Sequence, residues 1–152
     1  MSEQLKFIAS MFKMCMSEFN NVMGPETIQT IFRLIGERQG ENIEKRMKEK
    51  FGVSEWTPEK FAELIIKDVF NPALGEGGAE VNITGDNELT IIFKICPFEK
   101  AGIDISTKFY CTYTEGLIET ALKHAFNDIE IVNEELKSEG APQCTIKIKI
   151  KK

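Results

Sequence analysis

Four stretches of the C-terminal third decide the fold: ELTIIFKIC at 88–96, TKFYCTYTEGLIETALKHAF at 107–126, VNEEL at 132–136 and CTIKIKI at 144–150. In the first, Leu89, Ile91, Phe93 and Ile95 fall on alternate residues, the period-two pattern of a half-buried strand. The segment Val81 to Ile83, with the turn Gly85-Asp86-Asn87, makes it the second strand of a hairpin. The second stretch is long enough for a helix, and Cys111, Ile118, Leu122 and Ala125 share one of its faces. Gly116 interrupts it at a cost of about 1 kcal/mol relative to alanine, which implies a close neighbour. In the last stretch Cys144, Ile146, Ile148 and Ile150 point one way. Lys147, Lys149 and Lys151 point the other way, as in a strand kept soluble and unpaired at a sheet edge. The order is strand, loop, helix, strand, strand.

Three of the four cysteines lie in this unit. Cys96 ends the first strand, Cys111 sits early in the helix and Cys144 opens the final strand. Glu134, on the penultimate strand, is in phase with Val132 and Leu136, so its carboxylate is expected on a partly apolar side, where it needs a partner. Thiolates and a carboxylate are acceptable zinc ligands. On spacing alone the simpler reading of the same residues is an ordinary core of buried, inert thiols, because no CxxC knuckle is present.

Outward from this unit, residues 3 to 23 read as one long helix. Leu5, Ile8, Phe12, Cys15, Phe19 and Val22 recur at three-four spacing, with Phe7, Met11 and Met14 in a second row. A broad core face is the simpler reading, with Cys15 as a small buried hydrophobe; a seam with a second copy of the chain is the other. Gly24-Pro25 ends this helix and begins the next, whose apolar face is Ile28, Ile31, Phe32 and Ile35. Gly36 and Gly40 mark a helix end or a tight packing point, and a third helix is predicted from about Glu41 to a C-cap at Gly52. Thr57-Pro58-Glu59 opens a further helix, with Trp56 and Phe61 placed as a hydrophobic staple. Gly75-Glu76-Gly77-Gly78 reads as a flexible loop; with no helix after it and acidic side chains, it does not suit a phosphate.

The 152 residues fit one domain, 1–152, with no internal boundary. A net charge of −5 with interspersed signs carries no nucleic-acid footprint. No apolar run is long enough to span a bilayer, and the polar start MSEQLKF does not resemble an export signal, so a cytoplasmic chain with reduced thiols is expected.

The segment Glu134-x-x-Lys137-x-x-Gly140-x-x-x-Cys144-x-Ile146-x-Ile148, with Cys111 and the helix containing Gly116 before it, resembles the 4-vinyl reductase domain family. Ile35-Gly36-x-x-x-Gly40 is consistent with the same family, so the resemblance spans nearly the whole chain. It implies a hydrocarbon-binding small-molecule sensor domain with an α+β fold, N-terminal helices packed on a twisted antiparallel sheet. That fold is similar to the nitric-oxide-signalling/Golgi-transport ligand-binding fold. The resemblance places the family's zinc site on Cys111, Glu134 and Cys144. Lys137 stands where metal-binding members have cysteine, and Cys96 is the candidate for the missing thiolate.

Three functions follow as expectations. The first is a small-molecule-binding, regulatory domain, with a hydrophobic or aromatic ligand among Phe93, Phe109, Tyr113 and Leu117 and a structural zinc on Cys96, Cys111, Glu134 and Cys144. The second is an enzyme acting on a tetrapyrrole vinyl group, though no dinucleotide fingerprint is present and His124, the single histidine, has no evident acid-base partner. The third is an assembly module, a homodimer through the Leu5–Val22 helix.

Overall fold

A computed structural model describes residues 2–151; the outermost residues of the expected 1–152 domain, 1 and 152, lie outside the described residues. The chain begins with helix α1, Glu3–Met23, capped by the Ser2 hydroxyl, which accepts from the Leu5 N–H at 3.3 Å. Gly24, at φ 82°, allows the turn into α2, Pro25–Phe51. α3 (Pro58–Ile65) follows, with the Thr57 hydroxyl accepting from Lys60 N–H at 3.2 Å. The Trp56 and Phe61 rings meet edge-on at 5.5 Å, as the staple requires. A π-helical turn, Ile66–Phe70, continues α3 into the short α4, Asn71–Leu74. Then come β1 (Ala79–Gly85), β2 (Glu88–Phe93), α5 (Pro97–Lys100), α6 (Phe109–Phe126), β3 (Asp128–Glu135) and β4 (Cys144–Lys151). The four strands form one antiparallel sheet in the order β1-β2-β4-β3. The fold is α+β, as expected.

α2 is a single helix, not two broken near Gly36 and Gly40 with a third from Glu41. The glycines serve approach rather than termination. A Cβ on Gly36 would overlap the Tyr113 carbonyl oxygen of α6, and one on Gly40 the Leu117 carbonyl oxygen. Gly116 answers from α6, where a Cβ would lie 2.6 Å from the Arg33 carbonyl oxygen. The two helices therefore pack backbone to backbone, Gly36 beside Tyr113 and Gly40 beside Leu117, so they run in the same direction. The Arg33 guanidinium, bonded to Glu37 at 2.8 Å and Glu119 at 2.5 Å, ties the same seam.

Ile43 and Met47 of α2, Phe61 and Ile65 of α3, and Ile118 and Leu122 of α6 close on Leu89, Ile91, Ile146 and Ile148 of the sheet. Buried within it, Trp56 donates its indole N–H to Glu44 Oε1 at 2.7 Å. A smaller cluster joins Met16, Ile28, Phe109 and Tyr110.

Two expectations are corrected here. β4 is a central strand, between β2 and β3, and not an edge. Its lysines face the solvated side of the sheet, where Lys147 pairs with Glu134 and Lys151 with Glu130. The period-two pattern reports which face is wet; which strand lies beside it depends on topology. The second concerns α1, which does not bury a broad face within its own chain. Of its apolar residues only Met16 is buried; Phe7 is 73% exposed, Met14 69% and Val22 80%, and Cys15 is half-buried.

Candidate functional site

Between α6, the sheet and the segment from α2 to α4 lies a cavity of about 610 Å³. Its walls are mainly apolar: Ile43, Val69, Phe70, Leu74, Phe93, Ile95, Phe98, Tyr113, Leu117, Ile118, Leu136 and Ile146. Such a size and lining are those of a small-molecule site. Phe98 stacks on Tyr110 at 4.3 Å, and Phe70 meets Phe93 edge-on at 5.0 Å, so aromatic pairs hold both sides of the wall.

The π-helical turn helps to make this space. Pro72 has no N–H to return to Asp68, so the α-helical ladder cannot continue through it. Asn71 N–H instead bonds to the carbonyl of Ile66, five residues back. The added residue turns Asp68, Val69 and Phe70 to the cavity. Asp68 is held there by Arg46, whose Nε and Nη2 lie 3.1 and 2.9 Å from Oδ2, and by Lys50 Nζ, 2.5 Å from Oδ1. The hydrogen bond from Lys50, with that from Arg46, holds the carboxyl below its ordinary range.

Cys96, Cys111 and Cys144 all line this cavity, at the end formed by α5, the start of α6 and the β3–β4 connection. Cys111 Sγ donates to Ser138 Oγ at 3.3 Å, and the Lys137 backbone N–H donates to Cys144 Sγ at 3.3 Å. Burial pushes the Cys111 and Cys144 thiols up, and the neighbouring sulfurs add to the shift, since each opposes the others' ionisation.

The expected fourth ligand is not with them. In β3, Ile129, Ile131 and Asn133 pair with Ile150, Ile148 and Ile146 on the dry face, so Glu134 points outward with Val132, to Lys147 Nζ at 2.7 Å. The register slip between Asn133 and Glu135 acts beyond Asn133 and brings Leu136, not Glu134, to the cavity. The neighbouring Glu135 accepts from Thr145 Oγ1 at 2.6 Å. Lys137, where the resemblance calls for cysteine, sends its ammonium to the Pro142 carbonyl at 3.2 Å. Among the described residues no group of three or more His, Cys, Asp or Glu side chains is arranged to hold a metal ion. Glu134 does not join the three thiols, so the four-donor set that the resemblance implies is not assembled in this arrangement.

Of the expected ligand-binding residues, Phe93, Tyr113 and Leu117 line the cavity. Phe109 does not: it packs with Met16, Ile28 and Tyr110 beneath α1. The residues that sequence reasoning missed are those of the 39–74 wall, Arg46, Asp68 and Phe70 among them; the one available signal was Pro72 inside an apolar helical run. His124 is exposed on α6 and does not line the cavity.

No protein-family model matches the sequence, and no curated protein matches it. Among solved structures, the fold is similar to that of trafficking protein particle complex subunit 3 from Naegleria fowleri, solved covalently bound to palmitic acid. The superposition has a TM-score of 0.64 and 21% sequence identity, and covers 97% of each chain. The chain has the Golgi-transport type of fold. Among the described residues no helix is long and apolar enough to cross a membrane.

Proposed function

We propose that this chain is a cytosolic, regulatory binding domain for a hydrophobic small molecule carried in the cavity beside α6. The observation that carries the reading is the cavity itself, a mainly apolar space of about 610 Å³ beside the main core. The space opens to solvent and is walled mainly by apolar side chains with a few polar groups among them, the form expected of a ligand site. The palmitate-bound neighbour of the same fold supports an acyl chain as one ligand of suitable shape. The resemblance of the C-terminal third to hydrocarbon-binding 4-vinyl reductase domains agrees with it. The test is thermal unfolding of delipidated protein against single-chain and aromatic hydrophobes. A ligand at 100 times its Kd adds about 2.7 kcal/mol of stability. The tested compounds should raise Tm, and Leu117→Trp, which narrows the space, should reduce the rise. Absence of stabilisation by every compound would overturn the reading.

A second reading concerns assembly and is compatible with the first. Leu5, Phe7, Ile8, Met11, Met14, Phe19 and Val22 of α1, with Leu34 and Ile35 of α2, leave an apolar surface uncovered by the chain's own elements. Isolated monomers rarely expose patches of this kind. We propose that a second copy of the chain covers it. Light scattering should give a dimer for the native sequence and a folded monomer for Phe7→Glu with Val22→Glu; a native monomer at high concentration would refute it.

A further inference from the structure

We propose that the ligand of this cavity is a single-chain anionic amphiphile, held by its head at the mouth beside Arg46, with its apolar chain running toward Cys111 and Cys144. This deepens the binding function proposed above and rests on it.

The cavity has two chemically different ends. α2 and α6 run alongside each other with Gly36 at Tyr113 and Gly40 at Leu117. Arg46 is ten residues beyond Gly36, about 15 Å farther along α2. Cys111 lies two residues before Tyr113, in the opposite direction. Gln39, Ile43 and Arg46 recur at the four-three spacing that places them on one face, and all three line the cavity.

Charge distinguishes these ends. Arg46 and Lys50 share the single carboxylate of Asp68, whose side chain is only 7% exposed. Arg46 and Asp68 are the charged residues that line this end, and among the described residues Arg46 is the one cation in the lining of the whole cavity. With Lys50 on the second oxygen of Asp68, two cations share one anion there. Arg46 uses Nε and Nη2 on Asp68, while Nη1 has no partner among the described residues. A guanidinium held by one carboxylate and open on its other edge is pre-oriented for a second anion.

The thiol end is the reverse. Glu115 lines it, with its carboxylate accepting from the Asn133 amide at 2.6 Å, and there is no cation among the residues that line that end. Lys108 and Lys137, close enough to act on the thiols, are paired with Glu139 and Glu99 outside the cavity lining. An anionic head placed there would face a like charge in a half-buried setting. Between the ends the walls are Ile43, Val69, Phe70, Phe93 and Leu117, which offer a chain apolar contact and a polar head nothing. The polarity of the site therefore fixes the direction of the ligand.

The experiment compares three probes of equal chain length on the delipidated full chain: dodecanoate, 1-dodecanol and dodecyltrimethylammonium, each below its micellar concentration, by calorimetric titration. Dodecanoate should bind at least tenfold more tightly than dodecanol, and the ammonium probe more weakly than either. Arg46→Gln should bring dodecanoate to within about twofold of dodecanol while leaving dodecanol unchanged, which shows that the variant is folded. Lys50→Gln also breaks a contact to Asp68 but lies off the cavity, and should keep most of the preference. Equal binding of the three probes, or a preference that survives Arg46→Gln, overturns the head-group assignment and leaves the binding function standing. Failure of all three to bind overturns both.

Discussion

Gly36→Ala puts the α2–α6 seam to its sharpest test, because the sign of the effect is in question. In a helix free of neighbours, glycine to alanine stabilises by about 1 kcal/mol. Here the new Cβ would overlap the Tyr113 carbonyl oxygen, and would also lie 3.0 Å from the carbonyl carbon and 3.1 Å from Leu117 N. All three atoms are backbone, so no side-chain rotation relieves the contact. The milder case of Gly116 sets a scale: at 2.6 Å from Arg33 O, its Cβ would be about 0.8 Å inside ordinary contact at 3.4 Å. Overpacking costs about 1–3 kcal/mol, occasionally more, and a rigid helix pair falls at or above the top of that range. After the gain in helix propensity, Gly36→Ala should destabilise by about 2 kcal/mol. For a domain of this size that lowers Tm by about 4–8 °C. Urea denaturation followed by tryptophan fluorescence measures it, with Gly40→Ala similar and Gly116→Ala smaller. A Gly36→Ala protein as stable as the native one, or more stable, would refute the backbone-to-backbone packing, and with it the position of α6 over the cavity.

Asp68→Asn should cost about 1–2 kcal/mol, since both of its cationic partners are half exposed and screened. Because the folded Asp68 carboxyl is held below its ordinary range, the native protein should lose that stability as pH falls from the ordinary carboxylate range through the lowered one. An acid titration of Tm should show the variant missing this part of the decline; an identical decline would count against the pairing. Trp56→Phe leaves the buried Glu44 carboxylate without its donor and should cost about 1–3 kcal/mol, with Glu44→Gln milder because the amide still accepts the indole N–H. Thermal unfolding of the two variants reads the difference, and equal stability of Trp56→Phe and native protein would count against the bond. Cys111 and Cys144 should alkylate with iodoacetamide more slowly than a free thiol at neutral pH, accelerate above the ordinary thiol range, and be protected by a bound ligand. Peptide mass spectrometry reads each site, and fast, ligand-independent labelling of both would show that these thiols do not face the cavity.

The C-terminal third was legible because its signals are local. The period-two rows of β2 and β4, the helix through Cys111 and Gly116, and the Thr57-Pro58 start each depend on neighbours within a turn or a strand. Each appears close to where the sequence places it, although β2 ends at Phe93 and Cys96 lies beyond it, at the start of α5. The pairing order was not legible: the lysine row of β4 shows a wet face, and a central strand of a one-sided sheet has one as readily as an edge strand. Glu134 was misplaced for a similar reason. A one-residue slip after Asn133 puts Leu136 on the dry side while Glu134 stays on the wet side with Val132, so the two do not share a face, and nothing in VNEEL marks it.

What the sequence by itself determined is the order of strands and helix in the C-terminal third, the dry rows of β2 and β4, and the gathering of three thiols in one unit. Tertiary structure alone decided that Gly36 and Gly40 lie inside one helix, that α1 stays uncovered, and that Arg46 and Asp68 face the same space as Cys144. The physical reason is range. Propensity, capping and alternation act over a few residues, whereas a close helix approach, a strand order and a cavity are relations between surfaces that meet only once the chain has closed.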